Sequence, residues 1–192
     1  MTVLDDRRPA AGGSVSEGLV EIDGELHYRV VDVDRMAPFL MSVVSDGDRW
    51  MFVSSGGALA AGRGDASRSL FPYVTDDRLH AAAGATGPVT RIRVDGELWR
   101  PFAAPPDAGI QRSVSKAVVG DTVLFEEHHA ALGLTVVYRW ETSDHFGFVR
   151  TTTVTNHRSD PVRLDILDGV CDLLPGGLEP TVYQRLSNLA NA

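Results

Sequence analysis

The sequence is poor in cysteine, in long apolar runs and in basic residues. Its single cysteine, Cys171, excludes a disulfide framework and predicts a reducing, cytoplasmic setting. No apolar run approaches the ~18 residues of a membrane span, and the first residues lack the apolar core of a secretory signal. The chain has 18 basic and 26 acidic residues, which argues against nucleic acid or an anionic membrane as partner. Because it also lacks zinc-type Cys–His spacing and a nucleotide-type glycine loop, we predict neither a metal nor a cofactor.

Most of the chain consists of short alternating segments rich in valine and threonine, separated by tight turns. Branched Cβ atoms suit strands and crowd helices. The pairs Asp23-Gly24 and Asp95-Gly96 lie between such segments, and Asp-Gly is a strong hairpin signal because a type I′ turn needs positive φ at both central residues. Roughly ten strands exceed what one flat sheet accommodates. The sequence therefore predicts an all-β, mainly antiparallel, large two-sheet sandwich over residues 18–177.

Two segments in the first half of the sequence lack this alternation of strand residues. Residues 1–17 mix Asp, Arg, Pro, Ala, Gly and Ser without apolar periodicity, and we expect a mobile N-terminal arm there. Residues 54–87 are rich in Gly, Ala and Asp and show no strand alternation, which predicts a long loop. Within that loop, Thr75 is suited to N-cap a short helix that starts with two aspartates.

The C-terminal segment, residues 178–192, has the spacing of a helix. Val182, Leu186 and Leu189 fall on one helical face, and an isolated helix of this length is marginal in water. We therefore expect this helix to pack on the sandwich or on a neighbouring chain, and to begin a linker to a further domain.

A series of motifs follows a characteristic order between about residues 39 and 175. They are Phe39-Leu40-Met41-Ser42, Ser54-Ser55-Gly56-Gly57, Arg68-Ser69-Leu70-Phe71-Pro72-Tyr73, Leu98-Trp99-Arg100-Pro101-Phe102, the strand from Phe148 to Asn156, and Val162-Arg163-Leu164-Asp165-Ile166. In order and spacing they resemble the N-terminal β-domain of cellobiose-phosphorylase-like carbohydrate enzymes (glycoside hydrolase family 94 and its relatives). The resemblance implies a galactose-mutarotase-type sandwich that packs on a helical catalytic domain of the same parent chain. Since that family keeps its general acid in the following (α/α)₆ barrel, the resemblance implies no catalytic residue here.

Aromatic side chains beside loops are the predicted sugar-binding surface. A flat ring can stack on the C–H face of a pyranose, while neighbouring arginine and aspartate side chains bond its hydroxyl groups. Trp99 and Tyr73 lie next to turn or loop sequence, whereas Trp50 and Trp140 are flanked by strand and are predicted to pack inside. The predicted hydrogen-bonding partners of a bound oligosaccharide come from the long loop: Arg63, Asp65 and Arg68.

Two other functions stay open on the sequence. A free-standing aldose epimerase would use histidine and glutamate as acid and base. The candidate residues for that role are His128, His129, His145, Glu126 and Glu141. The other alternative is a module that forms a homodimer without contacting sugar. A cleft lined by clustered His and Glu would favour the epimerase, and an exposed apolar patch beside the C-terminal segment would favour a docking domain.

Overall fold

Antiparallel strands account for most of the residues that the structure, a computed structural model, describes: 15–103, 108–174, Val182 and Arg185. The strands of this part of the chain are β1 (Ser16–Ile22), β2 (Glu25–Val31), β3 (Leu40–Val43), β4 (Arg49–Ser54), β5 (Leu59–Arg63), β6 (Gly87–Val94), β7 (Glu97–Trp99), β8 (Ile110–Ala117), β9 (Thr122–His129), β10 (Leu134–Ser143), β11 (Gly147–Asn156) and β12 (Leu164–Cys171). One α-helix, α1 (Asp76–Ala81), and two 3₁₀ turns, Val33–Arg35 and Ala66–Arg68, join them. The predicted all-β, antiparallel class is confirmed.

Both ends of the chain fall largely outside the described residues. The structure describes the chain from residue 15, and β1 begins at Ser16, inside the segment predicted as an arm. Of the predicted C-terminal helix, Val182 and Arg185 are described and have helical backbone. Val182 is exposed, and Leu186 and Leu189 lie outside the described residues, so the expected packing of this helix stays a prediction.

The strands form a sandwich with one large layer and one divided layer. The large sheet has the order β1-β2-β8-β9-β10-β11, and the second layer consists of the three-stranded sheets β12-β6-β7 and β3-β4-β5. Side chains from all three sheets meet in one core, because alternate residues of each strand point to the same side. Representative members are Val114, Phe125, Val136 and Tyr138 from the large sheet, Ile92 and Val94 from β6, and Met51 and Val53 from β4.

The two Asp-Gly pairs form the tight turns that the sequence predicts. Asp23 and Gly24 join β1 to β2 with φ of 53° and 83°, and Asp95 and Gly96 join β6 to β7 with φ of 49° and 99°. Positive φ at both central residues is the signature of a type I′ turn, whose twist matches that of the flanking strands. These turns therefore fix the register of their hairpins.

Valine in place of Gly24 or Gly96 is expected to destabilise the fold by about 1 kcal/mol or more, because a β-branched residue resists positive φ. Urea denaturation followed by circular dichroism measures the change. Gly18→Val is the matched control, since Gly18 lies inside β1 without positive φ and with no atom within 4 Å of the place its Cβ would take. Unchanged stability in both turn variants would contradict the expectation.

Residues 54–87, predicted as a long loop, contain a buried strand and a helix. Leu59 and Ala61 of β5 belong to the main core, whereas Ala60 on the opposite face packs in a second cluster with Leu79 of α1. Since both faces of β5 are buried, apolar and polar residues do not alternate, and the strand carries no sequence signature of a half-exposed strand. The short helix is confirmed, and Thr75 lies at its N-cap position without a side-chain capping bond to the helix.

Candidate functional site

A cleft of about 460 Å³ lies where the turn between β10 and β11 meets the start of β4, the end of β5 and the residues that follow β12. Its volume falls in the range of pockets that hold small molecules, roughly 300–1,000 Å³. The rings that line it are Phe71, Trp140, Phe146 and Phe148; the charged or titratable side chains are Arg49, Arg63, Asp144, His145 and Arg150; Leu70, Val170 and Leu173 add aliphatic surface. The cleft thus combines aromatic rings with guanidinium donors.

The hairpin of β10 and β11 forms one wall of this cleft. Its strands pair from Leu134 opposite Asn156 to Ser143 opposite Gly147, and Gly147 takes φ of 80° to close the turn. Pleating puts Trp140 and Arg150 directly opposite each other on the core side. Phe146, at the tip of the turn, is 82% exposed. The base of the wall is therefore largely buried and carries an indole beside a guanidinium, and its rim carries an exposed ring.

Arg49 brings a largely buried positive charge to the cleft. Its side chain is 12% exposed, its Nη1 donates to the carbonyl oxygen of Ser143, and its Nη2 lies 3.8 Å from a carboxylate oxygen of Asp144. The Asp144 side chain is 79% exposed. Within the described ranges, no acceptor lies within hydrogen-bonding distance of the Nε of Arg49. The guanidinium charge is consequently only partly compensated by the protein.

A series of hydrogen bonds, buried at Tyr138 and Thr90 and exposed at Asp168, joins the large sheet to β6 and β12 beside the cleft. Arg150 donates to Asp168 at 2.5 Å, Thr90 donates to the other oxygen of Asp168 at 2.6 Å, and the hydroxyl of Tyr138 donates to Thr90. Burial raises the pKa of Asp168, but the hydrogen bonds from Arg150 and Thr90 outweigh it, so this pKa lies below its ordinary value. Burial raises the pKa of Tyr138 to about 12. These hydrogen bonds hold Arg150 in position.

The raised pKa of Tyr138 makes the stability of the folded chain depend on pH. The neutral phenol of Tyr138 stabilises the folded state below pH ~10, the ordinary tyrosine pKa. That stabilisation is lost as the pH rises through about 12, the pKa of Tyr138 in the folded chain. We expect the unfolding free energy to fall between those pH values, and Tyr138→Phe to remove that part of the decline. Urea denaturation at several pH values measures it. Tyr73→Phe, which removes the hydroxyl of an exposed ring, is the control for the substitution itself. Identical slopes for Tyr138→Phe and the parent chain would contradict the expectation.

Trp99, predicted to stack on sugar, is buried instead. Its side chain is 6% exposed, and its indole Nε1 donates to Glu127 at 2.9 Å. Trp99 ends β7 next to a loop, but it shares the inner face of its sheet with Ile92, directly opposite on β6. The indole face is therefore unavailable to a ligand, and the criterion of adjacency to a loop was misleading at this position.

The other predicted sugar-binding residues divide between the cleft and the surface outside it. Arg63 lines the cleft and is paired with Asp48 at 3.3 Å. Asp65 accepts hydrogen bonds from the backbone and hydroxyl of Ser67 and caps the 3₁₀ turn that Arg68 ends. Neither Asp65 nor Arg68 lines the cleft.

Tyr73 is exposed and lies outside the cleft, edge-on to Trp50 at a ring separation of 5.4 Å. Trp50, predicted to pack inside, is half-buried on the face of β4 that α1 covers, in the small cluster with Ala60 and Leu79. Trp140 is buried, as predicted. Tyr73 and Trp50 thus form an aromatic pair on the opposite face of β4 from the core.

Glu127 forms a buried polar centre that the sequence did not reveal. It is 1% exposed and accepts from the Trp99 indole, from the backbone N–H of Phe102 at 2.6 Å and from Arg112 Nε at 2.7 Å. Arg112 also donates to Asp34 and to the carbonyl of Ala103. These bonds anchor the segment after β7, in which Phe102 has a φ of 61°. The centre is filled by protein groups, so its role is structural.

The histidines considered for an epimerase do not come together. His128 contacts Thr135 at the start of β10, its Nδ1 lying 3.0 Å from the hydroxyl, and the ring of His129 lies edge-on to Trp99. His145 lies in the turn beyond Ser143, and the eight steps of strand from Thr135 to Ser143 span about 27 Å. A site that combines His145 with His128 or His129 is therefore ruled out.

Comparison with protein-family models and with curated proteins finds no match for this chain. Within the described ranges, no three His, Cys, Asp or Glu side chains are grouped as ligands for a metal ion. Of the helices in that same part of the chain, none has the length and apolar character needed to cross a bilayer. The cleft must be interpreted from its own geometry.

Proposed function

We propose that this chain is a non-catalytic, carbohydrate-binding β-sandwich domain of a larger cytoplasmic carbohydrate-active enzyme of the glycoside phosphorylase or hydrolase type, and that its cleft binds an oligosaccharide. The observation that carries the proposal is the cleft itself, where the exposed ring of Phe146 and the half-buried ring of Phe148 lie beside guanidinium donors. Sugars offer an apolar C–H face to rings and hydroxyl groups to donors. The sandwich fold agrees with the resemblance to the N-terminal domain of such enzymes.

The scarcity of carboxylates among the described lining residues supports a binding role over glycoside cleavage. Hydrolysis normally uses two carboxyl groups across the scissile bond, ~5–9.5 Å apart. Among the described residues that line the cleft, Asp144 is the single carboxylate, on an exposed turn. Glu127, the most buried acid near the core, is engaged by Trp99, Phe102 and Arg112. We therefore assign no catalytic residue to this chain.

Exposed apolar side chains on and after β12 support packing against a helical catalytic domain of the same parent chain. Ile166, Leu167, Val170 and Leu173 are all exposed, and Leu167 is 70% exposed. They lie directly before the C-terminal segment, where an apolar patch was expected for a docking domain. Alternation along β12 puts Leu167 on the face opposite Ile166 and Val170, and Val170 and Leu173 line the cleft, so Leu167 is the side chain on which such packing depends. An exposed Leu167 also supports the second candidate, homodimerisation, and sedimentation of the chain and of its Leu167→Glu variant distinguishes the two.

Sugar binding is expected to depend on the cleft and not on Tyr73. In calorimetric titration with cellobiose and longer cello-oligosaccharides, the unaltered chain should bind weakly, and Phe146→Ala should weaken binding about fivefold or more, because a stacked ring contributes about 1 kcal/mol or more. Tyr73→Ala is the matched control, an exposed ring outside the cleft, and should bind like the parent. Loss of binding in Tyr73→Ala alone would place the sugar on the other face of β4 and overturn the proposed site.

The chain alone is expected neither to hydrolyse nor to phosphorolyse aryl glucosides, because phosphorolysis also needs a protonating acid at the leaving oxygen. Release of nitrophenol with and without phosphate measures both reactions. The measurement is repeated with Asp144→Asn, since Asp144 is the carboxylate available in the cleft. Robust turnover that this variant abolishes would contradict a non-catalytic role. Catalysed exchange of glucose anomers would favour the epimerase alternative instead.

A further inference from the structure

The positive charge of the cleft is poorly matched by the protein around it. The whole chain carries a net charge of −8, yet three arginines and one aspartate line the cleft. Arg150 is paired with Asp168 at 2.5 Å, and Arg63 with Asp48 at 3.3 Å. Among the described residues, Arg49 has only the neutral carbonyl of Ser143 and the exposed carboxylate of Asp144 at 3.8 Å. The uncompensated charge is therefore concentrated at Arg49, next to the turn that forms the wall.

Residues that line the cleft also carry buried N–H groups without an acceptor. Arg49 Nε, Arg150 Nη1 and Trp140 Nε1 have no hydrogen-bond partner within the described part of the chain. Buried donors in folded proteins are almost always satisfied, and those of a cation are the most costly to leave unpaired. All three atoms are enclosed by protein, so a ligand in the cleft meets the exposed parts of Arg49 and Arg150 and compensates their charge without bonding to these atoms.

We infer that the ligand of this cleft is an acidic saccharide, whose carboxylate or phosphate group binds beside Arg49 and Arg150 while its ring lies against Phe146 and Phe148. This inference rests on the proposed function, because it names the class of sugar. A planar guanidinium presents paired donors that match the two oxygens of a carboxylate or phosphate. A neutral sugar can accept the same hydrogen bonds but cannot compensate the charge of Arg49.

The preference is measured by calorimetric titration of the full chain with glucose, glucuronate, glucose 6-phosphate and inorganic phosphate at low and high salt. The acidic sugars should bind at least about tenfold tighter than glucose, and the advantage should shrink as salt screens the partly exposed charges. Whichever acidic sugar binds tighter identifies the group as carboxylate or phosphate. Equal affinity for glucose and both acidic sugars overturns the inference and leaves sugar binding intact. Absence of binding by both acidic sugars overturns the inference, whether or not phosphate alone binds, and the titration with cello-oligosaccharides decides the proposed function separately.

Asp144→Asn tests the same idea without disturbing the core. Asp144 is exposed on the turn and is the carboxylate closest to Arg49, so its removal should tighten acidic sugars about threefold or more and leave glucose unchanged. Asp160→Asn, an exposed aspartate beyond the opposite end of β11, makes the same change in net charge and should have no such effect. Equal effects of the two variants, or none, would overturn the role of Arg49. Arg49→Met should abolish the preference for the acidic sugar, with circular dichroism as the check on folding.

Discussion

Replacing Glu127 by alanine should lower the free energy of unfolding by about 3–5 kcal/mol, the range observed when one partner of a buried ion pair is removed. Glu127 is almost fully buried and accepts from Trp99, Phe102 and Arg112. Its loss leaves three donors without their acceptor, among them a guanidinium whose side chain is 9% exposed. Urea denaturation followed by circular dichroism measures the effect, and a loss below about 1 kcal/mol would show that the centre contributes little.

Glu126→Ala is the matched control for that experiment. Glu126 precedes Glu127 on β9 but points to the opposite face of the sheet, where it pairs with Arg29 and is 33% exposed. Exposed ion pairs contribute about 0–1 kcal/mol, so the control should cost far less than Glu127→Ala. The double variant Glu127→Leu with Arg112→Leu should recover part of the loss, because apolar residues of similar size often replace a buried ion pair without penalty.

Alanine in place of Gly62 should destabilise the chain by about 1–3 kcal/mol, the cost of overpacking a filled site. A Cβ at Gly62 would lie 2.5 Å from Cζ2 of Trp50 and 2.8 Å from the backbone oxygen of Arg68. The indole of Trp50, a residue of β4, would have to move away from β5, and the 3₁₀ turn that Arg68 ends would have to shift. Thermal unfolding should show a lower Tm, and Trp50 fluorescence should report the displaced ring.

Gly169→Ala serves as the control for Gly62→Ala. Gly169 is also inside a strand, β12, but no atom lies within 4 Å of the place of its Cβ and its φ is not positive. Gly169→Ala should therefore leave the Tm nearly unchanged or raise it slightly, because alanine lowers the conformational entropy of the unfolded chain. Equal Tm values for the two variants would mean that Trp50 and the 66–68 turn adapt without cost.

The class of the fold could be predicted because its signals are local. Asp-Gly turns and alternating valine and threonine residues each depend on neighbours in sequence. β5 was missed because Leu59, Ala60, Ala61 and Gly62 are small or apolar on both faces, and burial on both faces removes the alternation. The strand is recognisable only once α1 is known to cover its outer face.

The cleft could not be predicted, because its parts lie far apart in sequence. Arg49 is nearly a hundred residues from Ser143, to which it donates, and alternation places Arg150 on the inner face without naming Asp168 as its partner. Position beside a loop selects Arg63, which does line the cleft. The same criterion selects Trp99, which is buried because the end of β7 faces the core.

The pairing of β6 with β12 sets an order on biosynthesis. Val94 pairs with Leu164, which lies about seventy residues later in the chain. At ~5–20 residues per second, a ribosome takes roughly 4–14 s to synthesise that stretch. The β10–β11 hairpin is complete before β12 emerges, and Asp168 follows Arg150 by 18 residues in the chain, so the hairpin first forms without the partner of Arg150. One long edge of β6 is also open to pairing with another nascent chain. Production of this chain should therefore be sensitive to translation rate and to crowding on polysomes.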